Sequence, residues 1–190
     1  MNEETRLRLK LMAGLLDYPG TPDFWRRLTN RRDDIRDLLP RLSPVLQTWE
    51  SLGRDRLARI YVETFDFGPK TALYLTVHEM GDSRNRGAAL LELTTLYRRE
   101  GFEPPEEELP DFIPSLLELA AVASDETGMA LYERLGQVAA QLSEALSPDH
   151  PYRPIFDALK DTLTYLAPAI PPSREETPDI DHLPYPVEYR

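Results

Sequence analysis

The chain offers few residues with which to do covalent chemistry. Its 190 residues include three histidines, His78, His150 and His182, and no cysteine. Without thiols there are no disulfides, thiolate nucleophiles or Cys-based zinc sites. His78-Glu79 lacks a second histidine four positions on, so two imidazoles never share a helical face as a zinc protease requires. Asp179-Ile180-Asp181-His182 sets two carboxylates beside an imidazole, but without the paired Glu-x-x-His helices of a di-iron bundle. Gly81-Asp82-Ser83-Arg84 carries one glycine and no P-loop lysine, and no serine occupies a Gly-x-Ser-x-Gly elbow. The expectation is therefore no catalytic residue, no metal ion and no cofactor: a binding protein, not an enzyme.

One stretch, residues 61–111, interleaves aromatic, acidic and arginine side chains instead. Its candidates are Tyr61, Glu63, Phe65, Asp66, Tyr74, Leu75, His78, Asp82, Arg84, Arg86, Glu108 and Asp111. A helical peptide bearing arginines needs an apolar groove for one face and carboxylates at the rim. Tyr61, Phe65, Tyr74 and Leu75 can floor such a groove. Glu63 and Asp66, three apart near a helix end, can face one side, with Asp82 and the acidic run 106–108 extending the rim. Plainer readings stand beside these. Asp82 and Asp111 suit helix N-caps, Tyr61 and Phe65 share the Ile60 face and suit the core, and Arg84 and Arg86 can pair with local carboxylates.

Charge bears on the partner. With 33 acidic and 22 basic residues the net charge is −11, which disfavours nucleic acid and suits a basic ligand, although acidity also simply keeps a protein soluble.

The elements that must position these residues read as helices almost throughout. Asn2 caps a first helix whose stripe is Leu7, Leu11, Met12, Leu15 and Leu16, stopped by Tyr18-Pro19-Gly20. Thr21-Pro22 and Ser43-Pro44 are cap-then-proline starts. Ile35, Leu38 and Leu39 mark a short turn between them. A helix through Leu57, Ile60, Tyr61, Thr64 and Phe65 ends near Gly68-Pro69. Residues 71–80 read as a brief helix with Leu73, Val77 and Met80 on one side. Asp82 then caps a helix with stripe Leu90, Leu93 and Tyr97, where Gly87 allows a close neighbour and Gly101-Phe102 forms a left-handed cap. Asp111 starts the next helix, with Pro114 in its first turn. The last two carry Leu131, Leu135, Val138, Leu142 and Leu146, then Ile155, Leu159, Leu163 and Leu166.

No stretch alternates with period two. The fold class is all-α: one bundle of about eight to ten helices over residues 1–166, with hydrophobic residues at 41% and charged at 29%. Residues 167–190 hold six of the 18 prolines and no apolar period, predicting an irregular Pro-rich acidic tail. Its end, from Leu183 to Tyr189, has enough apolar surface to dock. The acidic N-terminus lacks a secretory h-region and no apolar run can span a bilayer, so a soluble, unexported protein without direct membrane insertion is expected.

Tyr61-Val62-Glu63-Thr64-Phe65-Asp66, then Leu73-Tyr74-Leu75-Thr76, Gly81-Asp82-Ser83-Arg84-Asn85-Arg86-Gly87 and Glu108-Leu109-Pro110-Asp111 occur in order. This series resembles the delta-chain family of respiratory nitrate reductases, the NarJ-type assembly chaperones within the TorD-like redox-enzyme maturation proteins. The likeness is closest over residues 61 to about 124, and the N-terminal helices agree in pattern only.

The resemblance implies a TorD-like all-helical fold and a cytoplasmic chaperone. Its partner would be the apo catalytic alpha subunit of nitrate reductase, held through an N-terminal leader-like segment. The chaperone would assist molybdenum cofactor insertion before membrane docking. Service to a different molybdoenzyme, or an adaptor subunit retained in the mature complex, are the alternatives. The wider group's Glu-x-x-Asp-His pattern reads Glu108-Leu109-Pro110-Asp111-Phe112 here, so no imidazole role transfers. If Glu63 and Asp66 form the rim, reversing both to Lys should weaken leader-peptide binding by calorimetry and leave helicity and melting temperature nearly unchanged.

Overall fold

A computed structural model describes residues 1–68, 70–81 and 83–167. Asp82, and the tail from 168 onward with His182 and the Leu183 to Tyr189 segment, lie outside the described residues. Ten α-helices are present among the described residues. In chain order they are α1 (Glu3–Leu15), α2 (Pro22–Asn30), α3 (Arg32–Leu38), α4 (Ser43–Leu52), α5 (Arg54–Tyr61), α6 (Leu75–Met80), α7 (Arg86–Arg99), α8 (Ile113–Val122), α9 (Asp125–Ala145) and α10 (Arg153–Leu166).

Helix α1 is the central post. Leu9, Met12, Leu15 and Leu16 have almost no exposure and Ala13 only 1%, so it is enclosed on more faces than the single stripe of the sequence implies. Helix α8 packs along α1, and α9 packs along both α8 and α10. The predicted stripe of α9 is buried at every position, as are Ile155, Leu159 and Leu163 of α10. Asn2 Oδ1 accepts from Thr5 N at 2.8 Å, and Thr21 Oγ1 accepts from Phe24 N at 3.2 Å, as their cap roles require.

Aromatic rings link these layers. Phe24 lies 6.0 Å from Trp49, Trp49 4.9 Å from Tyr152, Tyr152 5.1 Å from Phe65, and Phe65 4.9 Å from Tyr61. Such pairs contribute about 0.5–1.5 kcal/mol each beyond the area they bury. Polar edges are tied off: Trp49 Nε1 donates to Pro151 O at 3.1 Å and Tyr61 Oη to Leu16 O at 3.0 Å.

Several local expectations change. Residues 71–74 are not helical. Thr71, Leu73 and Leu75 alternate inward, and Tyr74 forms an antiparallel β-bridge with Phe112. The cause is tertiary: Leu75 N donates to Asp111 O and Ile113 N to Leu73 O, both at 2.9 Å, so this backbone finds partners across the chain. Val77 is consequently half-buried and Met80 exposed. Ser43 is the first helical residue and not a cap, because the 3-10 turn Pro40–Leu42 runs straight into α4.

Helix α7 starts later than predicted, at Arg86. It buries Ala89, Leu93 and Tyr97, with Leu90 only half-buried, and nothing lies within 4 Å of where a side chain at Gly87 would sit. Its end is as expected: Gly101 has φ +83° and Phe102 N donates to Tyr97 O at 2.9 Å.

Asp111 does not cap its own helix; Phe112 holds that position. The Asp111 carboxylate is fully buried and accepts from the N–H and the hydroxyl of Thr76, in the first turn of α6. Arg86 Nη2 stands 3.5 Å away and Arg86 Nε donates to Thr76 Oγ1 at 2.9 Å. Removing one partner of a buried ion pair is costly, so Asp111→Ala should lose about 3 kcal/mol in denaturant unfolding. A loss below about 1 kcal/mol would show that the tie contributes little.

Candidate functional site

A cavity of about 570 Å³ opens where the α1–α2 turn, the end of α5 and the residues flanking the β-bridge meet. Its inner wall is aromatic: Tyr61, Phe65 and Phe112, with Tyr74 beside them. Asp17, Asp66 and Glu108 stand around it.

The chain is bent here by a change of helix type. Beyond Tyr61 the helix widens into a π-turn over Val62–Asp66, and Phe67 N donates to Val62 O at 3.2 Å. Such turns insert one residue into a helix and are frequent at functional sites. The insertion sends Phe65 into the aromatic core, 3% exposed, and leaves Glu63 and Asp66 in water.

Thr64 braces the turn. Its hydroxyl donates to Ile60 O at 2.6 Å and lies 3.0 Å from His150 Nε2. His150 Nδ1 accepts from Tyr152 N at 3.3 Å, so the neutral ring carries its proton on Nε2 and donates to Thr64. Burial lowers the His150 pKa, consistent with that neutral form.

The opposite wall is set by the bridge. Tyr74 and Phe112 lie 5.7 Å apart, ring to ring, and Tyr74 Oη donates to Glu108 Oε2 at 2.7 Å. Burial, then the Glu108 carboxylate, pushes the Tyr74 phenol up to about 12, so it remains a donor at neutral pH. Tyr61 is raised further, mainly by burial and then by Asp66. Asp17 is shifted upward by burial despite Arg27, whose Nη2 lies 3.0 Å from it. Arg27 also reaches Asp23 at 3.2 Å, so its charge is already committed. Among the described residues, no lysine or arginine pairs with Asp66 or Glu108.

Tyr61, Phe65, Asp66, Tyr74 and Glu108 are thus brought together. Tyr61 and Phe65 serve as core and as cavity wall at once, at 6% and 3% exposure. The other expected site residues fall elsewhere. Leu75 is wholly buried beneath the bridge. Glu63 opens onto an adjoining depression, because three steps along a π-turn do not return a side chain to the same face. His78 Nε2 bonds Ala72 O at 2.7 Å, Arg84 is exposed, and Arg86 and Asp111 are spent on the buried tie. Asp82 lies outside the described residues.

Sequence reasoning missed Asp17, Tyr18 and Phe112 as wall residues. Asp17-Tyr18-Pro19-Gly20 reads as a stop signal, and nothing local shows that this turn faces residues 61–74.

Comparisons with known proteins identify the family. The family model described as nitrate reductase delta subunit matches residues 29–156, which include every expected site residue and exclude Asp17 and Tyr18. The chain is 34% identical over 149 residues to the probable nitrate reductase molybdenum cofactor assembly chaperone NarJ of Bacillus subtilis, covering 75% of this chain and 80% of that one. It is 30% identical over 156 residues to the probable chaperone of the same description, NarW, of Escherichia coli, covering 80% and 65%. The nitrate reductase-like protein NarX of Mycobacterium tuberculosis is 39% identical over 136 residues, 70% of this chain and 20% of that protein.

The half-buried neutral His150 makes the π-turn sensitive to acid. A histidine whose pKa is lowered by folding contributes stability that is present above its unfolded value, about 6.5, and lost as pH falls through the folded one. The melting temperature should drop across that window, and His150→Gln should flatten this part of the slope. An identical acid profile in the variant would reject the role.

Proposed function

The chain belongs to the nitrate reductase delta subunit family, and on that premise we propose that it is a chaperone for nitrate reductase assembly. In this reading it grips the catalytic alpha subunit in its apo form by an N-terminal leader-like segment. It thereby assists molybdenum cofactor insertion before that subunit docks at the membrane. The names of the relatives support the chaperone role and the link to the cofactor.

The observation that carries the binding half is the cavity: an aromatic wall with two carboxylates at its edge, Asp66 and Glu108, that have no cationic partner among the described residues. An amphipathic segment can lay its apolar face on Tyr61, Phe65 and Phe112 while its basic groups meet the rim. Each partly desolvated Arg–carboxylate contact contributes on the order of 1.5–3 kcal/mol, so two suffice to select one leader from many. No helix among the described residues is long and apolar enough to cross a membrane.

Titration calorimetry with a synthetic peptide of the alpha subunit's N-terminal segment tests this directly. Asp66→Lys and Glu108→Lys should each weaken binding at least about tenfold with little change in melting temperature. A wild-type protein that ignores the peptide, or prefers a leader from another molybdoenzyme, would overturn the assignment of the client.

A further inference from the structure

Tyr18 stands between two depressions. It lines the cavity described above and, with Val62, also lines a second one of about 510 Å³ bordered by Asp55, Arg59, Glu63 and Phe67. Its ring meets Tyr61 edge to face at 5.6 Å and remains 46% exposed. Phe67, across the second depression, is 78% exposed. Two aromatic side chains thus face water around a hollow that nothing among the described residues fills.

The position of Tyr18 is built, not incidental. A side-chain carbon at Gly20 would lie 2.4 Å from the Tyr18 ring, so the ring can rest there only because residue 20 has no side chain. The turn beneath is fixed by Trp25 Nε1, which donates to Pro19 O at 2.8 Å.

Charge gives both hollows the same preference. On one side of Tyr18 are Asp66 and Glu108. On the other, Glu63 and Asp55 outnumber the single arginine of that hollow, Arg59; Glu63 has no cationic partner among the described residues, while Asp55 is 3.5 Å from Arg54.

We propose that the bound segment straddles Tyr18, placing one cationic side chain among Asp66 and Glu108 and a second beside Glu63, with an apolar residue or the stem of an arginine lying on the Tyr18 ring. An exposed tyrosine face favours such contact through apolar area and cation–π attraction. The occupant is therefore a segment with two separated basic residues, and Tyr18 is the specificity-determining divider that sets their spacing. This rests on the proposed client, whose leader supplies the probe.

The test pairs protein variants with peptide variants in calorimetry. Each basic residue of the alpha-subunit peptide is replaced in turn by alanine, and each peptide is titrated into wild type, Glu63→Gln and Asp66→Asn. Each protein variant should lose several-fold affinity for the intact peptide and lose nothing further with one replaced peptide, a different one for each variant. Tyr18→Ala and Gly20→Ala should both weaken binding about tenfold, and Tyr18→Phe should retain it.

Wild-type affinity in Glu63→Gln, with Asp66→Asn impaired, would confine the peptide to one hollow and overturn the straddle while leaving the client reading intact. Full affinity in Tyr18→Ala would remove the divider. A wild-type protein that does not bind the intact peptide removes both readings together.

Discussion

A buried carboxylate holds the candidate site in register. Asp111 gives up its hydration entirely; its Oδ2 is met by the Thr76 N–H, the Thr76 hydroxyl and the nearby Arg86 guanidinium, while its Oδ1 has no partner among the described residues. A charge placed there tolerates no loose arrangement, since each lost partner leaves an ion in low dielectric. The Asp111 carbonyl also accepts one of the two backbone bonds that join 73–75 to 111–113, from Leu75 N, and Ile113 N to Leu73 O is the other. Everything on the bridge side of the cavity follows: Tyr74 faces Phe112, and Glu108, three residues before Asp111, falls within reach of the Tyr74 hydroxyl.

The other wall depends on aromatic packing. From Phe24 through Trp49, Tyr152 and Phe65 to Tyr61, each ring is fixed by its neighbours; the Trp49 indole and the Tyr61 hydroxyl bond backbone carbonyls, while the buried Tyr152 hydroxyl has no partner among the described residues. A floor so constrained cannot collapse into the cavity when it is empty. A segment bound there, as proposed, would cost the protein little reordering.

Helix identity was largely legible in the sequence, because apolar spacing and caps act locally. The stripes of α9 and α10 and the caps at Asn2 and Thr21 emerge from neighbours in the chain. The family too was legible, from an ordered series of short motifs. Illegible were the features made by distant residues. Asp111 looks like a cap for the helix that follows it, yet it serves the first turn of α6, 35 positions earlier. Residues 71–74 look helical until residues 111–113 supply their partners. Glu63 and Asp66 share a face only in an α-helix, and the π-turn beneath them is braced by His150, which no local pattern connects to Thr64. Of the groove, the residues adjacent in sequence were found, and the Asp17-Tyr18 side, contributed by another helix end, was not.

The aromatic floor has a consequence for when the protein becomes competent. Tyr152 sits between Trp49 and Phe65, and Trp49 bonds Pro151, so the floor is incomplete until the start of α10 has docked onto helices made more than 80 residues earlier. A nascent or clipped chain lacking that segment has no surface to offer. Under the proposed function, competence to hold another polypeptide would therefore arrive together with completion of the fold.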